Sequence, residues 1–260
     1  QTAGPRMTFA TLVDTYGVGA VKLGSKELSL GGSAPRIESQ TPGPAVFDGV
    51  ISDGGIGGGA GGGLRVRSSG EQGLAGVNAY TGDTIIEPAN EFGPARRLFL
   101  SGQGSTAASR VVQADGLFDI APISGPIDPD TGLPTRRTST TINNLSGTGR
   151  VYLGDKTLVI ANATGSFAGT IDSECSGFGP QFPCGSVEKR GTGLFAFSGA
   201  NTYNGTTTAA QGTVALTGSL ASSVEVQPGA MFMGTGVVHG PRVNNAGTVD
   251  FAGDSGGITL

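Results

Sequence analysis

A handful of short stretches carry residues that can do chemistry, and each needs a geometry that the rest of the chain must supply. The first is Gly253-Asp254-Ser255-Gly256-Gly257. A serine in such a run becomes a nucleophile only with a histidine base within hydrogen-bond reach and an aspartate orienting that base. The single histidine, His239, lies 16 residues before Ser255 in a glycine-rich stretch that reads as a corner. The run therefore reads as a turn between strands at 248–251 and 258–260. Asp128-Pro129-Asp130-Thr131-Gly132 offers oxygens to calcium but lacks the rest of a ligand loop, so it too reads as a turn. Residues 54–63, almost all glycine, lack the Lys-Ser/Thr ending and following helix of a phosphate cradle and read as a flexible loop. The other acidic residues are scattered, with no pair placed for general acid and base work. No catalytic, cofactor-binding or metal-binding residue is assigned.

Cys175 and Cys184 are the two cysteines of the chain and enclose eight turn-forming residues. They read as one disulfide formed in an oxidising compartment, stabilising the fold by about 2.5–3 kcal/mol through the closed loop. Two thiols without a nearby histidine make an incomplete zinc site. Arg65 with Arg67, Arg96 with Arg97 and Arg136 with Arg137 are the small basic clusters of a chain with net charge −4. That balance argues against a nucleic-acid partner. The arginines read as solvated loop residues open to proteases. Asn144, Asn162 and Asn204 begin glycosylation sequons and carry little weight here.

The elements that must position these groups are visible through a duplication. Gly17, Gly19, Val21, Leu23, Gly24, Lys26, Leu28 and Leu30 recur as Gly147, Gly149, Val151, Leu153, Gly154, Lys156, Leu158 and Ile160. Phe47, Gly49 and Ile51 return as Phe167, Gly169 and Ile171. Asn78, Tyr80, Gly82 and Thr84 return as Asn201, Tyr203, Gly205 and Thr207, within a block that begins at Gly76 and Gly199. Val112-Gln113 with Phe118 is echoed by Val226-Gln227 with Phe232. The offset drifts from 130 to 120, 123 and 114, so insertions have collected between the matched blocks and not inside them. That behaviour suits coils of constant length joined by corners that can grow, with outgrowths at 33–44, 87–97 and 123–137. Two modules result, 1–140 and 141–260, the second continuous with the first.

Apolar residues alternate in short runs, Leu28-Leu30, Val151-Leu153, Leu158-Ile160, Leu194-Ala196, Val214-Leu216, Val224-Val226 and Val249-Phe251 among them, and amphipathic helical stretches are missing. With 48 glycines of 260 residues and no G-X-Y period, collagen is excluded and many tight turns remain. An antiparallel sandwich or barrel would also suit short strands, but repeated Asn and Gly at equivalent places favour stacked coils. The expectation is an all-β, right-handed parallel β-helix of about 20–25 residues per coil, some 10–12 coils and roughly 50 Å long.

The stretch 191–207, with Gly199, Asn201, Tyr203, Gly205 and Thr207, followed by Gly212-Thr213-Val214-Ala215-Leu216, resembles the autotransporter-associated β-strand repeat of bacterial type V secreted passengers. Residues 218–249 are similar to the passenger region that precedes the outer-membrane barrel. The resemblance covers 140–260 directly, and the first module through its likeness to the second, with Ala79 standing where the repeat has Thr202. It implies a passenger folded at the bacterial cell surface, with a barrel translocator outside this chain. Residues 1–20 lack a basic segment followed by an apolar core, and no 18-residue apolar run occurs, so a mature or truncated piece is expected. The function implied is a non-catalytic stalk or adhesin contacting host or neighbouring cells. Two alternatives stand beside it: the support of an enzyme-bearing passenger, a subtilisin-like protease or esterase whose catalytic domain lies outside this chain, and a self-assembling filament subunit.

Overall fold

The structure is a computed structural model that describes residues 7–9, 12, 19–31, 44–67, 71–89, 96–174 and 184–250. Among these residues every regular element is a β-strand, and the ladders that join the strands are parallel. The chain is a parallel β-solenoid made of two compact units, Gln1–Arg137 and Thr138–Leu260.

In the second unit each coil contributes one strand to each of three faces. The first face stacks Ser139–Ile142, Thr157–Ile160, Ser186–Lys189, Thr206–Ala209, Ser223–Val226 and Val243–Asn245. The second stacks Gly165–Phe167, Leu194–Phe197, Thr213–Leu216, Met231–Gly234 and Thr248–Asp250, and the third Ala200–Asn201, Ser219–Leu220 and Val237–Val238. A coil without an outgrowth advances the first face by 17 to 20 residues, as in Thr206↔Ser223 and Val187↔Thr207. Thr157↔Ser186 spans 29 residues because the cysteine loop leaves the coil between them. The bare coil is thus shorter than the 20–25 residues expected, since several corners close with two or three residues.

The first unit follows the same plan. Met7–Phe9, Glu27–Leu30, Gly63–Val66, Thr84–Ile86 and Val112–Ala114 stack on one face. Ala45–Phe47, Glu71–Leu74, Arg97–Leu100 and Leu117–Asp119 stack on the next, with Ala20–Lys22 against Val50–Ser52 on the third. Leu28↔Leu64 spans 36 residues and accommodates two outgrowths, whereas Leu64↔Thr84 takes only 20.

Every second side chain on a strand points inward, so each core is a column of stacked rows. Leu158, Val187, Thr207 and Val224 form one row in the second unit, and Phe195, Val214 and Phe232 another, all at 1% exposure or less. Each fully buried apolar side chain contributes about 1.5–3 kcal/mol. The register differs from expectation at one strand: Phe195 and Phe197 are buried, while Leu194 is 49% exposed. Four consecutive apolar residues cannot all face inward, and the two aromatic rings win because they remove more surface from water. The echo between Val112 and Val226 is also off by one alternation. Val112 stacks on Thr84 and Val224 on Thr207, so Val112 corresponds to Val224.

The corners repeat as faithfully as the strands. Gly24 and Gly154 turn with φ of 61° and 58°, and Lys26 N and Lys156 N close the turns on Leu23 O and Leu153 O at 3.2 and 3.1 Å. Elsewhere glycine is required because backbone meets backbone: a Cβ on Gly76 or Gly199 would lie 1.9 Å from the oxygen of Gly49 or Gly169 in the preceding coil. Gly199→Ala is therefore expected to cost at least about 2 kcal/mol in denaturant unfolding. Gly57→Ala, whose Cβ would meet nothing within 4 Å, should stay within about 0.5 kcal/mol of the parent.

Candidate functional site

The repeat-signature residues converge in both modules, and they converge inside the coil. Asn78 is 3% exposed and ties three consecutive coils: its Oδ1 accepts Ile51 N at 2.8 Å, and its Nδ2 donates to Gly76 O at 3.0 Å and Ser105 O at 3.1 Å. Asn201 does the same with Ile171 N at 3.1 Å, Gly199 O at 3.1 Å and Ser219 O at 3.3 Å. The side chain gives Ile51 N and Ile171 N their acceptor and adds a donor to corner carbonyls, of which Gly76 O and Gly199 O also accept Ser105 N and Ser219 N from the next coil.

Tyr80 and Tyr203 are fully buried and bond the hydroxyl four residues on, Thr84 Oγ1 at 2.6 Å and Thr207 Oγ1 at 2.5 Å. Those threonines reach Ser109 Oγ at 2.9 Å and Ser222 Oγ at 2.5 Å in the next coil, and Ser109 Oγ passes the chain on to Gly82 O at 2.9 Å. Burial pushes the Tyr203 phenol up to about 12, with the Thr207 and Ser222 hydroxyls pulling weakly the other way. Burial likewise raises Tyr80. Gly82 and Gly205 admit these tyrosine turns, since a Cβ on either would lie 2.4 Å from a carbonyl one coil away, Gly61 O or Gly185 O. The signature is thus a polar core sealed from solvent. Ser109 and Ser222 complete it without belonging to any matched block, because their spacing from the threonine differs between the modules.

Chemistry accessible to a partner lies on the outgrowths. The glycine loop after Val50–Ser52 is fastened, contrary to the flexible loop expected. The Asp53 carboxylate accepts Gly61 N at 3.1 Å, Gly62 N at 2.9 Å and Thr81 Oγ1 at 2.6 Å. Burial raises its pKa, but the bonds from Thr81, Gly61 and Gly62 outweigh it and hold the group below its ordinary value of 3.8. Gly62 re-enters the coil against Leu23 Cβ and Gly24 O, and Gly185 re-enters against Leu153 Cβ and Gly154 O. The glycine loop and the cysteine loop therefore leave the two modules at the same place. Ser173 stands where Asp53 stands, its Oγ buried without a partner among the described residues, and there Cys184 takes part in a disulfide. Cys175, its partner as read from the sequence, lies outside the described residues.

The outgrowth at 123–137 is a hairpin. Gly125 N donates to Thr135 O at 2.7 Å, Thr135 N to Pro126 O at 2.9 Å and Asp128 N to Leu133 O at 2.8 Å. Asp128 Oδ1 accepts Asp130 N at 2.8 Å, so this carboxylate closes the tip, as the turn expected at 128–132 requires. Ile127 and Leu133 on its flanks are 61% and 66% exposed.

The arginine pairs are not simply solvated loop residues. Arg65 lies in Gly63–Val66 and bridges Glu27 at 2.9 Å and Glu87 at 3.2 Å, with Arg67 joining Glu87 at 2.8 Å. Arg97, inside Arg97–Leu100, bonds Glu71 at 2.9 Å and Asp119 at 2.5 Å in the adjacent coils and lies 4.7 Å from the Phe99 ring. Burial works against the Arg97 charge, but the Asp119 and Glu71 carboxylates outweigh it and raise its pKa. Parallel in-register strands stack residues of opposite charge across coils, which isolated pairs of letters do not reveal. Lys189 was also illegible: it is fully buried, and Nζ donates to Gly191 O at 2.5 Å, Gly193 O at 2.6 Å and Gln211 O at 2.7 Å. Burial lowers its pKa.

His239 is exposed, and its backbone N pairs with Leu220 O at 2.7 Å, whereas 253–257 with Ser255 lies outside the described residues. Among the described residues no three His, Cys, Asp or Glu side chains gather as metal ligands. No family model matches the chain, and neither a curated protein nor a solved structure matches it.

Tyr203→Phe should cost about 1 kcal/mol in denaturant unfolding, because it removes one of the two partners of the buried Thr207 hydroxyl and leaves it only Ser222. In the parent, the folded-state phenol ionises near 12 and an unfolded one near 10.0, so stability present below the lower value is lost as pH rises between them. Phenolate absorbance followed against pH alongside circular dichroism checks this. Asp53→Asn should make residues 54–61 cleavable by a broad-specificity protease while the melting midpoint of the coil stays put. Its depressed pKa means that the parent acquires the same sensitivity only as pH falls below 3.8.

Proposed function

We propose that this chain is a non-catalytic display scaffold, a stalk or adhesin segment of a bacterial surface passenger whose outgrowths make the contacts. The observation that carries the reading is the paired position of two unlike loops. One coil architecture, repeated with the same Asn, Tyr and Gly contacts, emits a carboxylate-fastened glycine loop from one module and a cysteine loop from the other. A scaffold whose interior is held constant while its loops vary suits recognition of partners, since binding residues concentrate on loops held by a rigid frame. Six of its acidic groups suit the same reading. Asp53, Asp83, Asp119, Asp172, Glu71 and Glu87 are each engaged with backbone amides or arginines and not paired across an open cleft. Export through an outer-membrane barrel outside this chain remains part of the proposal on the strength of the repeat at 191–216.

The test replaces residues 126–135 with a two-residue turn and, separately, exchanges loop 54–61 for the cysteine loop. Both variants should melt like the parent and lose cell binding in a surface-adhesion assay. Hydrolysis of ester, peptide or polysaccharide substrates by the parent, abolished by Ser255→Ala, would replace the scaffold reading with an enzymatic one.

A further inference from the structure

The third face of the first unit carries an apolar column on its outer side, framed by two outgrowths. Ala20 pairs with Val50, Ser52 with Ala79 and Val77 with Ser105, so Ala20, Val50, Val77 and Ser105 stack one coil above another. Ile51 and Asn78 beside them face inward, whereas Val50 and Val77 are 38% and 58% exposed. At the edge that follows Ser52 stands the glycine loop. Gly54 N donates to Gly59 O and Gly58 N to Gly55 O, both at 3.0 Å, so Ile56 sits on a tight turn of a loop that Asp53 fastens, and it is fully exposed. At the opposite edge Ser124 N roots the hairpin 123–137 on Gly102 O at 2.8 Å. Beneath that hairpin opens a cavity of about 450 Å³ with Val77, Gln103, Pro126 and Thr135 in its walls. An apolar knob and a hole of ligand size therefore flank one apolar strip.

We propose that this face binds a second copy of the chain across a two-fold axis. An axis normal to the face, passing between Val50 and Val77, exchanges their coils and exchanges the two edges. Val50 of one copy is brought against Val77 of the other, and each Ile56 is carried to the other copy's groove. Lys22, at the loop edge on the coil before Val50, is carried toward the other copy's hairpin, whose tip bears Asp130. Both side chains are exposed and neither is engaged within its own chain among the described residues, so unlike charges meet at both rims. Arg136 and Arg137, at the hairpin base, are engaged within the chain and take no part in the contact. Among the described residues, five of the seven exposed large apolar side chains, Val50, Ile56, Val77, Ile127 and Leu133, lie on this face or its two outgrowths. They expose roughly 600 Å², most of the about 800 Å² that each partner contributes to a stable interface. Such a surface is complementary to itself and closes at two copies.

A second copy is then one contact of the display scaffold, and only that biological meaning rests on the display reading. The full chain, sedimented at several concentrations, should pass from monomer to dimer and no further. Ile56→Asp and Val77→Asp, both at exposed positions, should each weaken the dimer at least about tenfold while the melting curve of the dilute chain stays unchanged. Lys22→Glu and Asp130→Lys should each weaken it and together restore it, as opposed partners do. A photoreactive residue in place of Ile56 should cross-link between copies to the groove at Val77, Gln103 or Pro126. A monomer at every concentration up to about 1 mM, a dimer indifferent to Ile56→Asp and Val77→Asp, or growth into filaments would overturn the proposal. A monomer that Ile56 carries onto phosphatidylcholine vesicles would overturn it in favour of a lipid surface. Loss of cell adhesion by the hairpin replacement in a chain that never dimerises sinks the dimer alone, and a dimer without adhesion sinks the display reading alone.

Discussion

Parallel coils hydrogen-bond to their neighbours about 4.8 Å apart, and everything else in this chain follows from holding that spacing at the corners as well as along the strands. On the flat faces the ladder maintains it. At a corner the backbone turns and its amides no longer point along the stack, so two needs arise together: no side chain can intrude, and the misdirected groups must still be paired. Gly49, Gly76, Gly169 and Gly199 meet the first need, each approaching a carbonyl of the coil before so closely that a Cβ has no room. Asn78 and Asn201 meet the second by giving Ile51 N and Ile171 N an acceptor and by adding a donor to Ser105 O and Ser219 O. Glycine and asparagine at fixed separation are therefore one device. Their joint recurrence marks coil structure far better than either residue alone.

Much of this was legible because the constraint acts on residue type. Only glycine satisfies the close approach, and only a short amide spans three coils, so duplicated Gly-x-Asn-x-Tyr blocks announce the corners before any coordinates are known. What escaped did so for a definable reason. In Leu194-Phe195-Ala196-Phe197 every residue is apolar, alternation carries no phase, and ring size decided which pair faced the core. Arg65, Arg97 and their acids are separated by about one or two coils in sequence. Their pairing needs the register, and the register needs the length of each outgrowth. The glycine loop looked free because its composition is permissive, yet one carboxylate outside it, Asp53, removes that freedom.

Lys189 illustrates how such a core tolerates an apparent violation. It occupies an inward position between Ile160 and Ala209 of the neighbouring coils, where aliphatic side chains stack. An unpaired ammonium there would be costly, but the stem is long enough to lie in the apolar row while the head reaches three corner carbonyls. Those carbonyls belong to the corner that follows Ser186–Lys189 and to the one stacked on it. The lysine thus performs from inside a task like that of Asn201 on the third face: it donates to corner carbonyls, one of which, Gly193 O, also accepts Thr213 N.

A frame held this way separates the coil's stability from the variation of its loops. The interior rows and corner contacts cannot change without breaking several coils, whereas a loop needs only two fixed anchors, one where the chain leaves the coil and one where it returns. Both anchors are visible: Leu23 with Gly24 receives Gly62, and Leu153 with Gly154 receives Gly185. Between anchors the two modules differ: in the first a carboxylate gathers amide donors, and at the return of the second Cys184 takes part in a disulfide. The frame asks of an outgrowth only that its ends meet. Length, charge and composition are then free of the demands that fix the repeated core, which is why the two modules share their corner contacts and differ in the loops between their anchors.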